Sequence, residues 1–86
     1  MKFEFDKRKS ESNRRKHGID FIDAQALWED IDRIEVEAKT QIEKRFVLTG
    51  KIVNKHWSAV FTIREDKTRI ISVRRARKLE VKEYES

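Results

Sequence analysis

Arg64, Glu65 and Arg74 carry the side chains in this sequence best suited to chemistry. Arg64 and Arg74 fall on adjacent runs of alternating residues, both at the more polar parity, with Ser72 beside Arg74. Alternation with a period of two puts such residues on one sheet face. Glu65 follows Arg64 where its run ends, so a turn can bring the carboxylate toward the same cleft. His17 closes a charged N-terminal segment and is a second group able to carry a proton near neutral pH. Guanidinium groups beside proton carriers suit the cleavage of RNA, which supplies its own nucleophile, the 2′-hydroxyl. That reaction needs a base for the hydroxyl proton, an acid for the leaving 5′-oxygen and cations for the charge gathering on phosphorus. A plainer reading stands beside this one: cross-strand ion pairs on a solvated face, with His17 as a helix cap. His56 next to Trp57 reads as structural, Trp28 as core, and Trp57 or Phe61 as core or a base-stacking platform.

Other chemistries lack their residues. With no cysteine there is no disulfide framework, no thiolate zinc cluster and no thiol catalysis. His17 and His56 lie in separate elements and no acidic pair has ligand spacing, so no metal site is expected. No glycine-rich phosphate loop is present, and no cofactor is expected. At 86 residues, 37% apolar and 43% charged, the chain reads as one domain, residues 1–86, with a thin core and an ionic surface. No apolar run approaches the roughly 20 residues of a membrane span and no signal peptide opens the chain, so a cytoplasmic protein is expected. The net charge of +5 is unevenly spread. Lys7, Arg8, Lys9, Arg14, Arg15 and Lys16 form one basic block, and Lys67, Arg69, Arg74, Arg75, Arg77 and Lys78 another. Residues 20–43 between them carry eight acids against only Arg33 and Lys39, which suggests one face for a polyanion and another for something else.

Periodicity and capping residues mark the elements that must hold these groups. Phe3-Glu4-Phe5 is a short edge strand or a lead-in segment. Asp6 is placed to cap a first helix through about Lys16, with Gly18 at its left-handed end. This helix has no apolar residue from Lys7 to His17. A second helix is expected from Asp20 to about Asp30, burying Phe21, Ala24, Leu27 and Trp28. Four alternating runs come next, around Ile34–Ala38, Arg45–Thr49, Trp57–Arg64 and Ile70–Arg74, with Ile71 and Val73 on one parity of the last. They read as an antiparallel meander, with Gly50 and Asn54 marking the second connection and Asp66-Lys67-Thr68 the third. A short helix over Ala76–Glu85 ends the chain. The expected architecture is α+β: two N-terminal helices, a four-stranded antiparallel sheet and a short C-terminal helix, with the helices on one side.

With these residues in view, the chain resembles the BrnT toxins of bacterial type II toxin–antitoxin systems over nearly its whole length. The resemblance lies in Phe3-Glu4-Phe5-Asp6, in Asn13-Arg14-Arg15-Lys16-His17-Gly18-Ile19-Asp20-Phe21, in Ala24, Glu43, Arg45 and Gly50, and in Arg69-Ile70-Ile71-Ser72-Val73-Arg74-Arg75-Ala76 with Glu80 and Tyr84 after it. It implies a fold similar to the RelE ribonuclease toxins, metal-independent endoribonuclease activity and inhibition of translation. It also implies a cognate antitoxin with an N-terminal ribbon-helix-helix part, through which alone DNA is contacted. Carried over by position, Arg64, Glu65 and Arg74 are the catalytic candidates with His17, while Lys16, Arg45, Arg69, Ser72 and Arg75 are candidates for holding RNA. The competing class is a non-catalytic nucleic-acid adaptor acting through the basic face. It would retain RNA without cutting it and release it steeply with salt.

Overall fold

The computed structural model describes residues 1–39 and 43–86. Helix α1 spans Lys7–His17, and the Asp6 carboxylate accepts hydrogen bonds from the backbone N–H groups of Arg8 (2.8 Å) and Lys9 (3.2 Å). Two donors that the first turn leaves without partners are thereby satisfied. At the other end Gly18 takes a φ of 85°, and its N–H donates to the Arg14 carbonyl at 2.9 Å. A left-handed residue there favours glycine. Lacking apolar residues, α1 packs through polar ones: Ser10 and Asn13 are its buried side chains.

Asp20 opens the next segment by accepting from the N–H groups of Ile22 and Asp23. The segment then winds into a 3-10 helix, Asp23–Glu29, and not the α-helix expected over residues 20–30. Phe21, Ala24 and Leu27 recur every third residue, the period at which 3-10 side chains line up, and all are buried with Trp28.

The sheet holds β1 (Lys2–Glu4), β2 (Ile34–Ala38), β3 (Arg45–Ile52), β4 (Lys55–Arg64) and β5 (Lys67–Arg75), in the order β1-β5-β4-β3-β2. Strands β2 to β5 form the antiparallel meander that the alternation predicts. Strand β1 adds parallel to β5, so the sheet is five-stranded and mixed where a four-stranded antiparallel one was expected. Three residues carry little periodic signal; the strand is secured by packing, with the Phe3 ring edge-on to Trp28 at 5.0 Å. The β2–β3 connection runs through residues 40–42, outside the described residues.

Three local expectations are corrected. Gly50 is inside β3, opposite Trp57, and the β3–β4 turn is Val53-Asn54. A Cβ at Gly50 would lie 3.2 Å from Leu27 Cδ2, so glycine there admits the 3-10 helix against the strand. The β4–β5 tip is Glu65-Asp66, with φ of 50° and 66°, while Lys67 and Thr68 already belong to β5. The register shifts between Val60 and Phe61, so Ile70 and Val73, three apart, both reach the core, and Ile71 does not.

Leu48, Trp57, Ala59, Phe61, Ile70 and Val73 face the core under Phe21, Ala24, Leu27 and Trp28. Helix α2 (Lys78–Glu85) is bonded instead to Ser58 and Arg74, which alternate with Trp57, Ala59 and Val73. It therefore lies over one end of the other face, which corrects the expectation of helices on one side only. The rest of that second face is open, with Val36 53% exposed. Among the described residues no helix is long and apolar enough to cross a membrane.

Candidate functional site

The open sheet face is built in rows that the register sets. Arg69 pairs with Thr62 across β5 and β4, and on the other side Thr62 Oγ1 donates to the Lys44 carbonyl at 2.7 Å, which sets Arg45 beside it on β3. Arg45 and Arg69 thus flank Thr62 across about 10 Å, two interstrand spacings, and Arg64 lies about 7 Å further along β4. Arg45, Arg64 and Arg69, from three adjacent strands, stand at one end of one face. Arg45 Nε lies 3.4 Å from Glu43, and Arg69 Nη1 lies 3.9 Å from Glu4. Beside Arg64 a hollow of about 230 Å³ is lined by Glu43, Lys44, Phe46, Thr62 and Ile63. Glu65 stands at the hairpin tip next to it, in a left-handed conformation unusual for a glutamate.

Arg74 shares the face but not the place. It pairs with Ser58, six residues before Arg64 along β4, or roughly 20 Å away at the usual rise. Its guanidinium is taken up by Glu80 of α2 through two bonds, Nη1 to Oε1 at 2.8 Å and Nη2 to Oε2 at 2.9 Å. Glu80 Oε1 also accepts from Ser58 Oγ (2.9 Å) and from the Arg77 N–H (2.8 Å). With its oxygens so occupied, chiefly by Arg74, the carboxyl is held down at about 2.

The remaining candidates are dispersed. His17 and Lys16 end α1, whose Asn13 is fastened to Val73 near the Arg74 end of the sheet. Ser72 sits in the middle of the open face opposite Val60. Arg75 points to the core face, its guanidinium 5.4 Å from the centre of the Trp57 ring. The structure thus gathers Arg64, Glu65, Arg45 and Arg69, and sets Arg74, His17, Lys16 and Arg75 apart from them. Among the described residues no three His, Asp or Glu side chains gather into a metal cluster.

Several residues that organise this arrangement are not singled out as site residues from the sequence, although Asn13 and Tyr84 fall in the stretches that carry the resemblance. Asn13 bonds Ile19 and Val73; Ser10 Oγ accepts from the Phe21 N–H at 2.9 Å. Asp30 Oδ2 accepts from Tyr84 (2.6 Å) and from the Lys51 N–H (2.8 Å), tying α2 to β3. His56 Nε2 lies 2.6 Å from Glu85, in keeping with a structural role. Ser10, Ser12 and Asn13 are the uncharged polar residues in a helix otherwise made of charges and His17, and two of the three are the ones buried.

No curated protein matches the chain. A family model described as "Ribonuclease toxin, BrnT, of type II toxin-antitoxin system" matches residues 5–80. The matched span takes in α1 with its capping residues, strands β2 to β5, and α2 as far as Glu80. The chain therefore belongs to the BrnT family: it is a ribonuclease toxin of a type II toxin–antitoxin system, with RNA as substrate and an antitoxin as partner.

Proposed function

We propose that the protein is a metal-independent endoribonuclease whose reaction centre is the end of the open sheet face marked by Arg45, Arg64, Arg69 and Glu65. The observation that carries this reading is that Arg45, Arg64 and Arg69 leave three adjacent strands at one end of the same sheet face, with Arg45 and Arg69 two interstrand spacings, about 10 Å, apart. A base removes the 2′-hydroxyl proton, and the oxygen attacks the adjacent phosphorus. The bond to the 5′-oxygen breaks and that oxygen takes a proton from solvent, leaving a 2′,3′-cyclic phosphate and a 5′-hydroxyl. Glu65 is the base in this scheme. It directly follows Arg64 at the tip of the β4–β5 hairpin, at the same end of the sheet as the arginines. The arginines stabilise the charge that builds on the phosphoryl oxygens.

In this scheme Arg74 is a positioning residue that seats α2, and His17 acts outside the reaction centre. Lys16, Ser72 and Arg75 bear on RNA only as it continues over the surface. Inhibition of translation results from loss of RNA. The antitoxin is of the ribbon-helix-helix kind, covers the arginines with acidic and apolar groups, and makes the only contact with DNA. The adaptor reading gives way to the family's activity. Incubating the purified protein with total RNA in EDTA tests the proposal. Fragments with 2′,3′-cyclic ends are expected; intact RNA that is cut only after magnesium is restored would remove the metal-independent mechanism.

A further inference from the structure

The two edges of the sheet are treated differently. On the β5 side, β1 pairs with Lys67–Arg69, and beyond it the Asn13 carboxamide takes both backbone groups of Val73. On the other side β2 is the outermost strand, paired to β3 through all five residues without irregularity. Its sequence, Ile34-Glu35-Val36-Glu37-Ala38, holds no proline and no bulge, the devices that usually blunt an edge. Among the described residues its protection is charge.

The register says what such an edge would accept. Glu35 and Glu37 stand opposite Leu48 and Phe46, on the core side of the sheet. Ile34, Val36 and Ala38 stand opposite Thr49, Val47 and Arg45, on the open side. A strand added here must set cations beside the two glutamates and apolar residues beside Ile34, Val36 and Ala38. The approach is acidic too, since Glu29, Asp30 and Asp32 lead into β2 with only Arg33 against them.

A second copy does not meet this requirement. Antiparallel pairing of two β2 strands about Val36 would set Glu35 of each against Glu37 of the other, like charges face to face. The chain's own basic segments are already folded, as α1 and as the inner strand β5. RNA is repelled by the carboxylates and offers no strand to pair.

We propose that the free edge of β2 receives an extended antitoxin segment in which lysine or arginine alternates with apolar residues. The same two glutamates then turn away a second toxin and select the partner. The inference rests on the family's having an antitoxin and not on the reaction centre proposed above.

The test uses the full chain and its cognate antitoxin. Changing both Glu35→Lys and Glu37→Lys is expected to weaken binding roughly tenfold or more, with a neutral Glu35→Gln, Glu37→Gln variant falling between. Amides of residues 34–38 in the wild-type complex are expected to exchange more slowly than in the free toxin. Unchanged affinity, or equal exchange free and bound, overturns the proposal. So does a wild-type chain that dimerises alone at neutral pH and loses the dimer with both lysines, since the occupant is then a second copy. Circular dichroism checks that the variants fold. An inactive wild type would count against the nuclease scheme and leave these binding results untouched.

Discussion

The carboxamide of Asn13 stands in for a neighbouring strand along β5. Its Nδ2 donates to the Val73 carbonyl at 2.9 Å, and its Oδ1 accepts from the Val73 N–H at 3.1 Å. The same Nδ2 donates to the Ile19 carbonyl at 2.8 Å. One buried side chain thus joins α1, the adjoining turn and the part of β5 that β1 does not reach.

Replacing it strands three backbone groups. Asn13→Ala is expected to lower stability by about 3 kcal/mol, read as a fall in the urea midpoint with the slope unchanged. Asn13→Asp keeps the acceptor but loses both donations, and is expected to be destabilised as well. Stability within error of wild type in both variants would contradict the role.

The arginines are expected to divide by what they hold. Arg45→Ala, Arg64→Ala and Arg69→Ala should each lower RNA cleavage by roughly 10²-fold with little change in thermal midpoint, as for removal of one charge-stabilising donor. Arg74→Ala should instead cost about 2–3 kcal/mol of stability, because Glu80 is left half-buried without its cation. A variant set in which Arg74→Ala abolishes cleavage at full stability would move the reaction centre to the other end of the face.

The Arg74–Glu80 pair also predicts a pH dependence. The Glu80 carboxyl is lowered from an ordinary 4.5 to about 2, first by Arg74 and against some desolvation, with the Arg77 N–H and Ser58 adding to it. A carboxyl lowered on folding contributes stability that is fully present above 4.5 and is lost as pH falls toward 2. The amount is about 3 kcal/mol at most. The difference in unfolding free energy between wild type and Glu80→Gln should therefore shrink between pH 5 and about pH 2 (taking the window from the same shift). A constant difference across that window would rule the linkage out.

Tyr84 gives an alkaline counterpart with a direct signal, since it is the only tyrosine. Its hydrogen bond to Asp30, with desolvation and nearby acids, pushes the phenol from 10.0 up to about 12. A raised phenol favours the folded state below pH 10 and loses that contribution as pH climbs toward 12. Phenolate absorbance should rise near pH 12 in wild type and nearer pH 10 in Asp30→Asn. Coincident titrations would show that the bond is absent in solution.

Much of this architecture is legible in local sequence. Asp6, the basic last turn and Gly18 bound α1 because capping is a matter of neighbouring residues. The four alternating runs become four strands, because a half-buried meander imposes period two on whatever sequence forms it. Strand β1, the 3-10 helix and the bulge at Val60/Phe61 are less legible. Each depends on packing against a distant element: three residues are too few to decide between an edge strand and a lead-in segment, and the spacing of Phe21, Ala24 and Leu27 also suits an α-helix.

For the candidate site, alternation alone put Arg64 and Arg74 on one face, since side-chain direction in a strand is a local property. Their separation was decided by the tertiary structure. The turn at Glu65-Asp66 sets Arg64 at the hairpin tip and carries Arg74 to the far end, where α2 folds back to place Glu80 against it. Parity along a chain gives a face, whereas position on that face and freedom from a partner come only from how strands register and helices dock.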